Sequence, residues 1–191
     1  MTAPAKEYRV LALSGSLRAD SYNTALLHAA EKLNPGPTSI QIYPGLGDLP
    51  LYNQDLEQGA LPAAVHDLHQ HVLQADGLLI ATPEHNASAP AALKNAIDWM
   101  SRMPGGAGMA GKPVAVVGAS PGALGTVRAQ LALRQILGSI GADVLAKPEV
   151  LVFRAHEQFD ANGILADEFT QNLLVDLLAE LAGRIERGGL T

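Results

Sequence analysis

Six hydroxyl, amide and guanidinium side chains crowd into one short stretch near the N-terminus: Ser14, Ser16, Arg18, Ser21, Asn23 and Thr24. An apolar run, Val10 to Leu13, precedes them, and an apolar pattern of helical period follows. A buried strand ending in such a loop, with a helix opening just beyond, builds a pocket for phosphate. Hydroxyls and backbone N–H groups donate, the helix N-terminus adds partial positive charge, and Arg18 adds a full one. The loop is not a dinucleotide fingerprint, because Gly15 has no glycine two and five residues on. It is not a Walker A loop either, because no Gly-Lys-Ser/Thr follows. The plain alternative is a serine-rich turn that caps a helix.

The elements that must position these groups alternate. Strands are expected at 8–13, 39–43, 77–81 and 113–118, with 143–145 as the fifth and 150–153 as a further piece of it. Helices are expected at 23–33, 62–74, 90–102, 125–140 and 167–187. The second and third open on Pro62 and Pro90, where a missing N–H costs nothing. Residues 44–61 and 103–111 read as Gly- and Pro-containing loops. Five strands alternating with five helices imply a parallel sheet covered on both faces. Such sheets bind ligands beyond the carboxyl ends of their strands. Three unusual segments lie there, after the first, third and fourth strands. A phosphate loop of hydroxyls at that place points to flavin mononucleotide (FMN). The fold class expected is α/β, a flavodoxin-like three-layer sandwich with a five-stranded parallel sheet and helices on both faces.

Composition narrows the classes further. A chain of 191 residues, 48% of them hydrophobic, suits one domain spanning 1–191 with a sizeable core. The net charge is −6 and no basic run appears, which argues against nucleic acid or an acidic membrane surface as partner. With no cysteine there is no disulfide, no thiolate catalysis and no cysteine-held cluster. No segment reads as a membrane span or a leader peptide, so a cytoplasmic location is expected.

The segment after the third strand reads Thr82-Pro83-Glu84-His85-Asn86-Ala87-Ser88-Ala89-Pro90, continuing Ala91-Ala92-Leu93-Lys94-Asn95-Ala96-Ile97-Asp98-Trp99. Its prolines stiffen a backbone that can present N–H and C=O groups to a flat polar ring at low entropic cost. Together with Gly15-Ser16-Leu17-Arg18 and Ser21-Tyr22-Asn23, it closely resembles the NAD(P)H-dependent FMN reductases, flavoenzymes that reduce quinones, azo dyes and chromate. The resemblance runs from about Tyr8 to the final helix. It implies that Ser16, Arg18, Ser21 and Asn23 hold the FMN phosphate. It also implies that Pro83, Glu84, His85 and Asn86 lie along the ring, partly through backbone groups. NADPH or NADH would be the co-substrate, a small molecule the electron acceptor, and a homodimer or homotetramer the assembly. Two departures stand out. His85 occupies a position where relatives carry tyrosine, and Ala19 replaces the usual lysine after Arg18. His85 is expected beside the flavin and near a subunit boundary. Glu84 is either a solvated loop carboxylate or a structural part of the site, and Trp99 is expected to pack rather than react.

The loop after the fourth strand, Gly118-Ala119-Ser120-Pro121-Gly122, also matches the nucleophile elbow of α/β-hydrolases, with Asp143, His156 and Asp160 downstream. Pro121 counts against that reading, because the oxyanion hole needs the N–H of the residue after the nucleophile. On the flavin reading, Ser120 and Gly122, with Gly118 and Gly125, let the backbone approach the ring closely. An electron carrier of the same fold is the other rival. His66, His69 and His71 share one helix, expected to be a polar surface face with no metal site. Arg128, Arg134 and Gln135 read as subunit contacts or surface solvation. No side chain is singled out as catalytic.

Overall fold

The computed structural model describes residues 7–103 and 108–188. The start of the chain and the middle of the 103–111 loop therefore lie outside the described residues. Strand β1 (Tyr8–Ser14) is followed by α1 (Tyr22–Leu33), β2 (Thr38–Ile42) and, after two single helical turns, α2 (Ala63–Gln74). Next come β3 (Gly77–Ala81), α3 (Ala91–Ser101), β4 (Pro113–Ala119), α4 (Val127–Ser139), β5 (Asp143–Val144) and β6 (Val150–Val152). The short α5 (Ala155–Gln158) and the long α6 (Glu168–Glu186) close the chain.

The sheet is parallel throughout, in the order β2-β1-β3-β4-β5, with β6 also paired to β4. Alternate residues face opposite layers, as the pleat requires. Leu11, Leu13, Leu78, Ile80, Val114 and Val116 point to α2, α3 and α4. Val10, Ala12, Leu79, Ala81, Ala115 and Val117 point to α1 and α6. Both faces are covered, so β1, β3 and β4 read as near-continuous apolar runs. The fold is flavodoxin-like. Strand order reverses between β1 and β3, and their carboxyl ends open a crevice there. Among the described residues, no helix is long and apolar enough to cross a membrane.

The expected fifth strand is two pieces. β5 pairs with the start of β4 (Pro113 with Asp143) and β6 with its end (Ala119 with Val152). Pro148 lies between them and has no N–H to give to a ladder, so one continuous strand could not form there. Asp143 on β5 is buried and takes both of its bonds from Arg184 Nη1 on α6, at 3.0 and 3.2 Å.

The histidine helix departs from expectation. His69 is 8% exposed and sits among Val65, Leu68 and Val72, so this face of α2 is core rather than surface. Burial, helped by the neighbouring His66, pushes the His69 imidazole pKa down. Among the described residues, no group of three or more His, Cys, Asp or Glu side chains could hold a metal ion.

The 44–61 loop is pinned to α3. Asn95 Oδ1 accepts from the Tyr52 N–H at 2.8 Å, and its Nδ2 donates to the Pro50 carbonyl at 3.0 Å. The fully buried Trp99 donates its indole N–H to the same carbonyl at 2.8 Å. Its ring meets Tyr52 edge-on, with centroids 5.1 Å apart. Trp99 therefore packs, as expected, and also anchors a loop.

Candidate functional site

A cleft of about 730 Å³ opens at the carboxyl ends of the central strands. Its walls are the β1–α1 loop with Ser16, Arg18, Ser21 and Asn23, the β3–α3 loop with Pro83, Glu84 and His85, and Ala119 to Pro121 after β4. All three segments singled out in the sequence meet there. Of the ten candidate residues, Asn86 and Gly122 do not line it.

The first wall is built around a helix start. Ser21 has extended backbone, and its Oγ accepts from the Asn23 and Thr24 N–H groups at 3.2 and 3.3 Å, an N-cap. The Ser21 hydroxyl proton stays free to donate into the cleft. Ser14 does not face the cleft. Its Oγ meets Thr24 Oγ1 at 2.8 Å and ties β1 to α1. Asn23 is buried, with Nδ2 donating to the Ala119 carbonyl and Oδ1 accepting from the Ala119 N–H. That side chain stitches α1 to the end of β4 with one of its two amide hydrogens, and the residue lines the cleft. Arg18 is exposed, with its guanidinium 5.7 Å from the centre of the Tyr22 ring. Among the described residues, the N–H groups of Arg18, Ala19, Asp20 and Tyr22 find no protein acceptor, while Ala19 and Asp20 form a turn. The loop thus presents a cation and a run of uncommitted donors at the positive end of a helix.

The glycines act differently from expectation. A Cβ on Gly15 would lie 2.5 Å from Leu93 Cδ1, so this glycine lets the loop close on α3. A Cβ on Gly118 would lie 1.9 Å from Thr126 Oγ1 and 2.6 Å from the Thr82 carbonyl. Gly125 has φ +52° and would clash with the backbone of Leu151. Gly118 and Gly125 therefore serve packing within the protein, not approach to a ligand. Gly122 has neither constraint, and its N–H donates to Ser120 Oγ at 3.1 Å.

Glu84 is not solvated. Its side chain is 9% exposed and faces the first turn of α4. Oε1 accepts from Arg128 Nε at 2.7 Å and also from Nη2, and Oε2 accepts from the Arg128 and Ala129 N–H groups at 3.0 and 3.3 Å. Burial alone would raise this carboxyl pKa, but the bonds from Arg128 and the two N–H groups outweigh it, and the pKa is lowered. Such a depressed group contributes its stabilisation above the usual carboxylate pKa and loses it only as pH falls through the lowered value. Arg128 is thus bound within the chain, not a free surface cation. Arg134 is half-buried and donates to the Leu145 carbonyl, while Gln135 is exposed.

The hydrolase constellation does not assemble. Among the described residues, Ser120 Oγ accepts from the Gly122 N–H and meets no histidine. Asp143 is held by Arg184, Asp160 accepts the Asn162 and Ile164 N–H groups, and His156 faces Glu157.

Residues 8–157 match the sequence family described as NADPH-dependent FMN reductase. The chain belongs to that family. An NAD(P)H-dependent FMN reductase of Pseudomonas aeruginosa is 44% identical over 175 residues, covering 92% of this chain and 94% of the relative. A quinone reductase of Escherichia coli K12 is 38% identical over 184 residues, 95% of this chain and 97% of its own. Among solved structures, the flavoenzyme NAD(P)H:(acceptor) oxidoreductase of Paracoccus denitrificans superposes with a TM-score of 0.86 at 37% identity. It covers 96% of this chain and 100% of its own. This member of the FMN reductase family is therefore a flavin-dependent oxidoreductase.

The cleft of this FMN reductase fits its cofactor on the structure's own terms. A terminal phosphate suits the free N–H donors, Ser16, Ser21 and Arg18, and a flat ring suits the stiff Pro83–His85 backbone opposite Ser120. His85 lines the cleft and is exposed, and its backbone pairs both ways with Ser88 at 3.1 and 3.0 Å. Asn86 and Ala87 form the two-residue turn between them, both left-handed, with φ +49° and +62°. Asn86 tolerates this conformation and Ala87 does not. The Ala87→Gly variant is expected to gain roughly 1 kcal/mol. Thermal unfolding of the flavin-free protein should then rise by about 2–4 °C. An unchanged or lower midpoint would mean that Ala87 is not held left-handed in solution.

Proposed function

We propose that this protein is a quinone-type reductase in which Ser16, Arg18, Ser21 and the 18–22 backbone hold the FMN phosphate. The backbone of Pro83, Glu84, His85 and Asn86, with Ser120 and Gly122, borders the ring. Bound FMN supplies the chemistry, taking a hydride from NADPH or NADH and passing reducing equivalents to a small-molecule acceptor. The protein's part is placement. The helix N-terminus and Arg18 fix one end of the cofactor, and the β3–α3 loop fixes the other. The observation that carries this reading is the convergence of three separate loops on one cleft that, among the described residues, is lined by one arginine, Arg18. Quinones are the acceptor class favoured, since relatives spanning nearly the whole chain are named for them. We read 1–191 as one domain, working in the cytoplasm as a homodimer or homotetramer. Leu124, Leu131 and Phe153, each at least half exposed near the third loop, support a subunit contact there.

The test is spectroscopic. Purified protein supplied with FMN should show bound flavin absorbance that bleaches with NADPH or NADH and returns on adding a quinone. Initial rates should give parallel double-reciprocal lines, since nicotinamide and acceptor use one face of one ring in turn. Absence of FMN uptake would overturn the cofactor site. Intersecting lines would separate the two binding positions and overturn the shared cleft.

A further inference from the structure

Helix α4 begins without a local cap. Thr126 stands at the N-cap position but has left-handed backbone, φ +68° and ψ 20°, and its side chain caps nothing. Its hydroxyl points inward, accepting from Gln130 Nε2 at 3.2 Å, and occupies the space over Gly118. The Val127 N–H reaches the Leu124 carbonyl, but the next two, on Arg128 and Ala129, have one acceptor: the carboxylate of Glu84, more than forty residues away. The same carboxylate takes the Arg128 guanidinium from the other side.

We infer that Glu84 and Arg128 are a positioning pair for the flavin site, the carboxylate capping α4 from the β3–α3 loop and so fixing the ring-bordering backbone of Pro83 and His85. The inference rests on the flavin reading above. Two consequences follow from the geometry. First, the loop after β3 cannot shift without uncapping α4, so two walls of the cleft move as one body. Second, all four bonds on the carboxylate come from Arg128 and Ala129, which do not line the cleft, and Arg128 balances its charge. The site therefore holds a carboxylate within its wall without exposing the ring to net negative charge. Glu84 lines the cleft but spends its carboxylate on α4, which makes it a positioning rather than a catalytic residue.

The experiment compares Glu84→Gln, Arg128→Met and the double variant with wild type. FMN affinity is read by titration, the flavin-free protein by thermal melting, and the loaded protein by its midpoint potential. Losing the charged cap should raise the FMN dissociation constant roughly tenfold in Glu84→Gln. The two single variants should move the potential in opposite directions. Glu84→Gln leaves the guanidinium unbalanced and makes reduction easier. Arg128→Met leaves the carboxylate unbalanced and makes it harder. In the double variant the potential returns toward wild type while affinity stays low. Should Glu84→Gln fail to fold, Arg128→Lys keeps the charge on a half-exposed side chain and removes the two-pronged contact. It should weaken FMN binding with little change in potential. A pair that is merely structural would lower the melting point of every variant and leave affinity and potential unmoved, and that result overturns the inference. Single variants that shift the potential the same way overturn it too. A wild type that binds no FMN overturns the flavin reading itself, whereas a wild type that binds it with variants that match overturns the inference alone.

Discussion

Replacing Trp99 by alanine is expected to cost about 3–5 kcal/mol of stability, the range for truncating a buried aromatic. The side chain is fully buried in the layer between the sheet and α3, and its indole N–H satisfies the Pro50 carbonyl. The variant opens a gap in the core and removes one of the two side chains that anchor the 50–52 stretch, leaving Asn95. Chemical denaturation of the flavin-free protein is the direct measurement. Trp99→Phe separates the two effects: it keeps much of the volume, loses the N–H, and should cost about 1 kcal/mol more than the volume change alone. A loss below about 1 kcal/mol in the alanine variant would show that the core collapses around the gap.

Arg18→Ala carries the second large effect, on binding rather than folding. Arg18 is exposed and rests against the Tyr22 ring, so its removal should leave the melting point of the flavin-free protein nearly unchanged. A charge-assisted bond to phosphate is worth on the order of 1.5–3 kcal/mol, so FMN affinity should fall at least tenfold. Riboflavin, which lacks the phosphate, should bind wild type and variant alike. Equal FMN affinity in the two proteins would place Arg18 outside the phosphate pocket. Equal losses for FMN and riboflavin would give it a role at the ring instead.

The alternation of apolar runs with helical periods in the sequence led directly to the parallel sheet, because strands buried on both faces carry that pattern along their whole length. The cap at Ser21 was legible for the same kind of reason: it is a local contact, made two and three residues away. What escaped was tertiary. Glu84 caps a helix that starts more than forty residues later, and Asn23 pairs with Ala119 across 96 positions, and no local spacing announces either bond. The inward turn of His69 escaped because α2 alternates histidines with valine and leucine, a mixture that suits a wet face or a buried one. Gly118 and Gly125 looked like room left for a ligand, but they are room left for Thr126 and for the backbone of β6. Asn95 stands inside the motif after β3, yet its task is to hold Pro50 and Tyr52. The break in the fifth strand did have a signal, Pro148, which the apolar runs on either side concealed.

That break has a consequence for how the molecule meets other chains. A strand at the border of a sheet offers a row of unpaired N–H and C=O groups, and a long flat row can template a foreign strand. Beyond β4 this protein presents one piece of two residues and another of three, with a proline-containing bend between them. Neither is long enough to recruit a partner ladder of ordinary length, near five residues. The β4 side of the sheet thereby offers little to edge-to-edge growth, and among the described residues the border strand of ordinary length is β2.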